Sequence, residues 1–482
     1  MPGGGPPLDP PPAMLAGWLD EACAYLVDHL SRLGDLPARG LVGDEATAIT
    51  AAVGRPIADA PDPGGLVSLL GRLEQATRVS YTAPGPGYLA YIPGGGLPAS
   101  AVADLLASGL NRYTGVSPAA PALLELEADV LRWLCSIVGY GSGAWGLLTS
   151  GGSLATFCGV VTAREARLGD DHDLRDARIY VTAQAHHSVG KAVRLAGFGR
   201  QTLCAVGVDE DLRMDPQALA ARIDADRAAG RVPCLVVIAA GTTNTGVIDP
   251  LEAIADVCAE RGVWLHVDAA YGGPFVLTER GSRRLAGIDR ADSITLDPHK
   301  GLFLPYGSGC LLVREGRYLA QAHAAEADYL QDLGDAGTPS PHAYGPELSR
   351  PFRGLRLWLP LQLHGVAAFR RALDEKLDQT EWATRRLREL AAAGLPIEIL
   401  RPPDLTVVVF WRRRGEGVSL EENNRANAAW LERINARDRV LLTSTMLPGP
   451  DGPQFVIRIC VLSFRTDMPR MEACLLDIEQ TC

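Results

Sequence analysis

The chain has 482 residues, of which 47% are hydrophobic and 21% are charged, and its formal net charge is −11. This composition is typical of a soluble globular enzyme with two or three domains, and it is too apolar for intrinsic disorder. The acidic balance argues against nucleic acid or an anionic membrane as a partner, because both bind to basic surfaces.

Ten cysteines are scattered along the chain without C-x-x-C spacing. This spacing argues against a zinc site, and the sequence predicts no bound metal. We find no secretory leader pattern and no apolar run long enough to span a membrane. The sequence therefore predicts a cytoplasmic protein with reduced thiols.

Residues 1–96 are predicted to form an N-terminal helical segment. Residues 1–12 are rich in Gly and Pro, whereas residues 13–32 and 67–77 have the apolar spacing of helices. Residues 81–98 place several tyrosines among glycines. Such a segment could line a pocket or form a packed surface loop.

Residues 97–360 are predicted to form a large α/β domain. Two helices, over residues 97–110 and 122–138, come first. Short apolar runs then alternate with helical stretches, which predicts a mostly parallel sheet covered by helices on both faces. The predicted strands are residues 179–182, 202–206, 234–239, 263–267, 293–296 and 310–313, and the helices between them are residues 154–167, 188–196, 215–229 and 251–261.

Residues 361–482 are predicted to form a small α+β domain. A long helical region over residues 355–393 leads into it. The further predicted elements are strands over residues 406–411 and 454–462 and helices over residues 423–437 and 469–480.

Residues 293–301 are predicted to form a strand that ends in a tight turn carrying Lys300, and a second apolar run follows at residues 310–313. Partial burial lowers the pKa of a lysine and makes its amine a nucleophile. Such a lysine can form a Schiff base with a carbonyl compound such as pyridoxal phosphate. The alternative is a lysine that merely extends from the strand end into solvent.

Residues 149–154 combine two glycines with hydroxyl side chains before a predicted helix. Free N–H groups at a helix N-terminus bind phosphate, and the helix dipole favours the anion. The turn lacks the lysine of a nucleotide-binding P-loop. An ordinary helix cap is the alternative interpretation.

Two more polar side chains follow predicted strands. The imidazole of His186 could stack on a planar ring or move a proton. Asp268 ends an apolar strand, where a carboxylate is costly unless it is paired with a cation such as a protonated pyridine nitrogen. For Asp268 alone, a helix cap or a structural salt bridge is the alternative.

Together these segments resemble the group II pyridoxal-phosphate-dependent amino-acid decarboxylases, which include aromatic-L-amino-acid, histidine and glutamate decarboxylases. The resemblance covers nearly all of the chain from Ala13 onward. Its most specific parts are residues 241–243, 266–271, 297–300 and 351–356. It implies the fold-type I pyridoxal-phosphate-dependent transferase fold and a homodimer with active sites at the interface. The implied reaction converts an L-amino acid to an amine and carbon dioxide.

The resemblance also implies residue roles. Lys300 would form the Schiff base with the cofactor, Asp268 would pair with its pyridine nitrogen, and His186 would stack on its ring. Further cofactor contacts are implied at Gly152, Ser153, Thr243, Ala270 and His299.

The resemblance places the substrate pocket partly on one segment, with Tyr88, Tyr91, Ile92 and Pro93. With Tyr113, these side chains favour an aromatic or other apolar substrate. Arg112 is the competing signal, because its guanidinium could bind the distal carboxylate of glutamate or aspartate. Gly94 stands where the aromatic enzymes often have a threonine that contacts ring hydroxyls, which argues against a catechol substrate.

Two further positions affect the predicted chemistry. Asp297 stands where many relatives have Asn, and a carboxylate would repel a neighbouring phosphate. Residues 334–349 have the composition of an active-site lid. In the family, a tyrosine of the matching loop protonates the substrate's α-carbon, a phenylalanine there favours an aldehyde product, and Tyr344 is the tyrosine of this loop. An exposed loop tyrosine is the alternative.

Other reactions remain open at this stage. The same cofactor also serves aldehyde synthases and aminotransferases. A catalytically silent protein that binds the cofactor is a further alternative.

Overall fold

The computed structural model describes residues 6–169, 173–324, 337–413 and 415–482. In chain order, the helices are α1 (Pro12–Ser31), α2 (Asp44–Val53), α3 (Gly65–Arg78), α4 (Pro98–Leu110), α5 (Pro121–Ile137), α6 (Gly152–Leu168), α7 (His187–Leu195), α8 (Pro216–Ala228), α9 (Leu251–Glu260), α10 (Glu279–Arg284), α11 (Pro298–Gly301), α12 (Arg317–His323), α13 (Arg353–His364), α14 (Val366–Ala392), α15 (Leu420–Asn435) and α16 (Met468–Thr481).

The strands form two sheets. They are β1 (Trp145–Thr149), β2 (Ala177–Val181), β3 (Leu203–Ala205), β4 (Val232–Ala239), β5 (Trp264–Asp268), β6 (Ser293–Leu296), β7 (Gly309–Val313), β8 (Ile397–Ile399), β9 (Val407–Arg412), β10 (Thr443–Leu447) and β11 (Gln454–Cys460).

The larger sheet has the strand order β1-β7-β6-β5-β4-β2-β3. Strands β2 to β6 pair in parallel, whereas β7 is antiparallel to both of its neighbours. Along β7, Cys310 and Leu312 pack into one apolar core, and Leu311 and Val313 pack into another. Both faces of the sheet are therefore covered, and the predicted fold class is confirmed.

The smaller sheet has the order β10-β11-β9-β8, and its strands are antiparallel. Helices α14, α15 and α16 cover it and share a core with it through Leu387, Trp430 and Met471. Within the described part of the chain, no helix is long and apolar enough to cross a membrane.

Several elements differ from the sequence-based prediction. The helical region predicted over residues 355–393 consists of two helices, because Gly365 adopts a φ of 68° between α13 and α14. Left-handed backbone of this kind interrupts a helix and favours glycine. Helix α2 lies in a stretch that the sequence analysis treated as a connection, and strands β1, β8 and β10 and helices α10 and α12 were not predicted.

The N-terminal helices α1, α2 and α3 contain no fully buried residue. Large apolar side chains nevertheless remain exposed on α1 and α3, and others are exposed on α4. Among them are Leu15, Leu19, Leu69, Leu73, Leu105 and Leu106.

Candidate active site

A cavity of about 290 Å³ lies at the carboxyl ends of β4, β5 and β6. Asp268 is the last residue of β5, and Asp297 directly follows β6. Ligands of open parallel sheets bind at this edge, where the loops after the strands converge. All the residues predicted to contact a cofactor line the cavity, namely Gly152, Ser153, His186, Thr243, Asp268, Ala270, His299 and Lys300.

Lys300 lies on the one-turn helix α11 between β6 and β7. The predicted order of strand, turn and strand is therefore confirmed. Its Nζ is 3.0 Å from Oδ2 of Asp297, and its side chain is 20% exposed. The amine is thus held inside the cavity by a carboxylate of its own turn.

Asp297 is nearly buried, with a side chain that is 4% exposed. Its Oδ1 is also buried and has no hydrogen-bond partner among the described residues. His299 Nε2 is 3.7 Å from the other oxygen, and His299 Nδ1 donates to the carbonyl of Ser308 at 2.6 Å. Burial lowers the pKa of His299, and the neighbouring Asp297 only partly opposes this effect.

The N-terminus of α6 forms the adjacent wall. A Cβ on Gly152 would lie 2.9 Å from Oδ2 of Asp297, and a Cβ on Gly309 would lie 2.4 Å from the carbonyl carbon of Gly151. Both glycines permit this close approach of the strands to the helix. The N–H groups that begin a helix attract anions, so this wall can hold a phosphate.

His186 and Asp268 are the other two predicted cofactor-binding residues with ionisable side chains that line the cavity. His186 caps α7, and its Nδ1 lies 2.7 Å from the hydroxyl of Ser188. Burial lowers the pKa of His186, and Asp268 has the largest opposing effect. Oδ1 of Asp268 accepts a hydrogen bond from the backbone N–H of Ala270 at 3.2 Å. Its carboxylate therefore stays oriented towards the cavity that it lines.

Arg458 of β11 ties the cavity rim together and was missed in the sequence analysis. Its Nε donates to the carbonyl of Asn244 at 2.7 Å, and its Nη1 donates to Thr443 Oγ1 at 3.0 Å. Its Nη2 donates to the carbonyls of Tyr91 and Thr243. All four acceptors are neutral, and burial lowers the pKa of the guanidinium. A charged residue in the middle of an apolar strand was the available sequence signal.

Tyr306 was also missed, and it links the predicted substrate segment to the cavity. Its ring centroid lies 5.6 Å from that of His299. Its hydroxyl accepts a hydrogen bond from the N–H of Gly94, which directly follows Pro93. Residues 88–93 therefore lie next to the cavity, although none of them lines it in a single chain.

Residues 73–413 match the family described as the pyridoxal-dependent decarboxylase conserved domain. The chain belongs to the pyridoxal-dependent decarboxylase family. This result confirms the resemblance to group II decarboxylases, and the protein is a pyridoxal-phosphate-dependent carboxy-lyase that acts on amino acids.

Several relatives cover most of this decarboxylase. It is 34% identical to an aromatic-L-amino-acid decarboxylase of Bacillus atrophaeus over 95% of this chain and 93% of that protein. It is 30% identical to the human cysteine sulfinic acid decarboxylase over 77% of this chain and 79% of that protein. The crystal structure of Oryza sativa TDC with PLP and tryptamine superposes with a TM-score of 0.90, 26% identity and 99% coverage of both chains.

The cavity of this decarboxylase fits pyridoxal phosphate. Lys300 could bond to the aldehyde, Asp268 could pair with the ring nitrogen, and the N-terminus of α6 could hold the phosphate. When bound, the cofactor supplies the electron sink for decarboxylation. Among the lysines and arginines of the described residues, Lys300 alone lines the cavity.

Besides residues 88–93, three further predicted site residues lie outside the cavity of a single chain. Arg112 and Tyr113 are exposed after the end of α4. Tyr344 is half-buried against Leu147, and burial raises its pKa. Part of the predicted lid, residues 334–336, falls outside the described residues. The role of Tyr344 stays a prediction.

Proposed function

We propose that this decarboxylase converts an aromatic L-amino acid to its amine and carbon dioxide. The observation that carries the proposal is the set of residues that line the cavity. No arginine is among the described lining residues, so the acidic side chain of a substrate would have no guanidinium partner there. At the edge of the cavity stands the ring of Tyr306 beside His299. Similarity over nearly the full length to an aromatic-L-amino-acid decarboxylase gives independent support.

Within this proposal, each lining residue has one task. Lys300 bonds to the cofactor, and Asp268 keeps the ring nitrogen protonated. His186 packs on the ring and orients the substrate carboxylate. The carboxylate must leave perpendicular to the ring, and orientation of that bond is the main contribution of the protein.

The proposal includes a homodimer in which each chain completes the other's site. Three N-terminal helices without a buried residue need a partner surface, because short helices gain their stability from packing. A second copy would cover the apolar side chains of α1, α3 and α4. It would also bring the exposed Arg112 and Tyr113 towards a cavity that neither reaches within its own chain.

An acidic substrate is the second candidate, and Arg112 favours it. A guanidinium supplied across the interface could hold a distal carboxylate or sulfinate. The similarity to the human cysteine sulfinic acid decarboxylase points to the same class. In that case Arg112→Ala would abolish turnover of acidic substrates and spare turnover of phenylalanine.

Turnover measurements distinguish the candidates. Tryptophan, tyrosine and phenylalanine are compared with glutamate, aspartate and cysteine sulfinate, and carbon dioxide release is followed. We expect kcat/KM to be highest for an aromatic substrate, and a clear preference for an acidic one refutes the choice. Quantification of amine, aldehyde, peroxide and keto acid from the same reactions separates decarboxylation from aldehyde synthesis and transamination.

Sedimentation tests the homodimer. Leu105 of α4 is 51% exposed and Leu476 of α16 is 41% exposed, so the two form a matched pair. We expect Leu105→Asp to give monomers with little activity, because a buried charge opposes association. Leu476→Asp is the control and should remain dimeric. Identical behaviour of the two variants would contradict an interface at α4.

The proposal also places the protein in the cytoplasm. All ten cysteines are free thiols, and most of them are buried. Free thiols persist in reducing compartments. Fractionation of the native host with an antibody against the protein tests this location.

A further inference from the structure

The carboxylate of Asp297 lies beside the helix N-terminus that would hold the phosphate of the cofactor. Its Oδ2 would be 2.9 Å from a Cβ at Gly152, the first residue of α6, and both residues line the cavity. An anion at this helix N-terminus therefore approaches Asp297 closely. Two full negative charges at one site repel, and one of the groups then holds its proton to higher pH.

In the chain without cofactor, the charge of Asp297 is balanced by Lys300, with Nζ 3.0 Å from Oδ2. Binding of pyridoxal phosphate ends this balance. Lys300 Nζ bonds to the aldehyde carbon, and the aldehyde oxygen leaves as water with two hydrogens from the nitrogen. The nitrogen would then carry at most one hydrogen, in place of the three of the free ammonium group. Asp297 loses its donor at the moment when the phosphate arrives.

No other described group replaces that donor. Oδ1 of Asp297 is buried without a partner, and His299 Nε2 is 3.7 Å from Oδ2. Burial lowers the pKa of His299, which disfavours its protonated form in the chain without cofactor. The remaining charged or titratable groups around Asp297 are His186 at the start of α7, Asp268 at the end of β5, Cys310 on β7 and Arg356 on α13 beside His299.

We propose that Asp297 and the phosphate of pyridoxal phosphate share one proton in the holoenzyme. Two acids that are coupled in this way titrate as a pair. The pair keeps its shared proton to a higher pH than either acid would keep its own proton alone. A phosphate monoester loses its second proton near pH 6, with a pKa of about 6, so sharing costs little at neutral pH. An asparagine at position 297 would bind the phosphate dianion without a proton.

Phosphorus NMR of the holoenzyme tests the proposal, because the phosphate resonance reports its ionisation directly. In the wild type we expect the resonance near the monoanion position, or titrating towards the dianion as pH rises. In Asp297→Asn we expect the dianion position at pH 7 and above. Loading is checked in every variant by borohydride reduction and identification of the labelled lysine.

Two control variants sharpen the comparison. Ser153→Ala removes a hydroxyl at the same helix terminus without changing charge, and its resonance should titrate as in the wild type. His299→Asn should also retain the shared proton. A resonance that differs from the wild type in His299→Asn but not in Asp297→Asn would overturn the proposal, as would a wild-type resonance that is already at the dianion position at pH 7.

Cofactor affinity gives a second readout. Above the pKa of the shared proton, the dissociation constant of the wild type should rise about tenfold for each pH unit relative to Asp297→Asn. Parallel pH profiles for the two proteins would overturn the inference. It depends on cofactor binding alone, so its failure would leave the proposed substrate untouched.

Discussion

The phenol of Tyr306 fills the space beside Gly94 and accepts a hydrogen bond from its backbone nitrogen at 3.2 Å. A Cβ at position 94 would lie 2.7 Å from Cε1 of this ring. Glycine at 94 and tyrosine at 306 are therefore a matched pair. The Tyr306 ring therefore leaves no room for the threonine that the family resemblance suggests at position 94.

We expect Gly94→Thr to displace the Tyr306 ring and to lower kcat/KM for aromatic substrates. Overpacking of this kind costs about 1–3 kcal/mol. In a Tyr306→Ala background the same substitution should have a much smaller effect, because the clash is gone. Thermal unfolding and kinetics of all four proteins form the cycle, and additive effects would show that the two residues act independently.

Borohydride labelling should mark Lys300. The chain contains three lysines, so peptide mapping has to distinguish only three labelling sites. Lys376 is fully buried and donates to the carbonyl of Thr466, whereas Lys191 is exposed on α7. The purified protein should be yellow, and peptide mapping after reduction should find the cofactor on Lys300. Label on Lys191 would refute the assignment.

Asp268→Ala should lose most activity and bind the cofactor more weakly. Without the carboxylate, the pyridine nitrogen loses its proton and the ring accepts electrons poorly. Turnover and the dissociation constant of the cofactor are measured together, with Asp292→Ala as a control for a carboxylate at the opposite end of β5 and β6. Turnover near that of the wild type would remove Asp268 from the mechanism.

Tyr344→Phe should still bind substrate but produce much less amine, with some aldehyde instead. The phenol is half-buried against Leu147, so the loop must move before it can deliver a proton to the substrate's α-carbon. Proteolysis of residues 337–349 should slow when a substrate analogue is bound. Unchanged amine output would show that Tyr344 is not the proton donor, and His186 would be the next candidate.

His266 should make stability depend on pH. Burial lowers its pKa to about 4, and its ring lies against Ser293 and Thr295. The unfolded chain therefore binds a proton below pH 6.5 that the folded chain refuses, and stability falls as pH falls towards 4. The loss amounts to about 3 kcal/mol at pH 4.

Urea unfolding from pH 4 to 8 checks this dependence. The stability of the wild type relative to His266→Asn should fall as the pH falls from 8 to 4, because only the wild type carries the buried imidazole. His364→Asn replaces an exposed histidine at the end of α13 and serves as the control. A constant difference between wild type and His266→Asn would contradict the expected linkage.

The sequence predicted those parts of the site that lie on strand ends. Lys300 and Asp268 follow apolar runs, and such runs mark the strands of a buried parallel sheet. Arg458 and Tyr306 act through contacts with residues far away in the chain, which local patterns do not encode. Helix α2 was missed, although Asp44 and Glu45 at its start and the helical spacing of Ala46, Ile49 and Val53 were usable signals.

Arg458 has a consequence for biosynthesis. This side chain near the C-terminus holds the carbonyls of Tyr91 and Thr243, which belong to segments made much earlier. A ribosome-bound chain that has not yet released β11 lacks the clamp on both segments. We therefore expect this part of the cavity rim to form only after β11 has been synthesised.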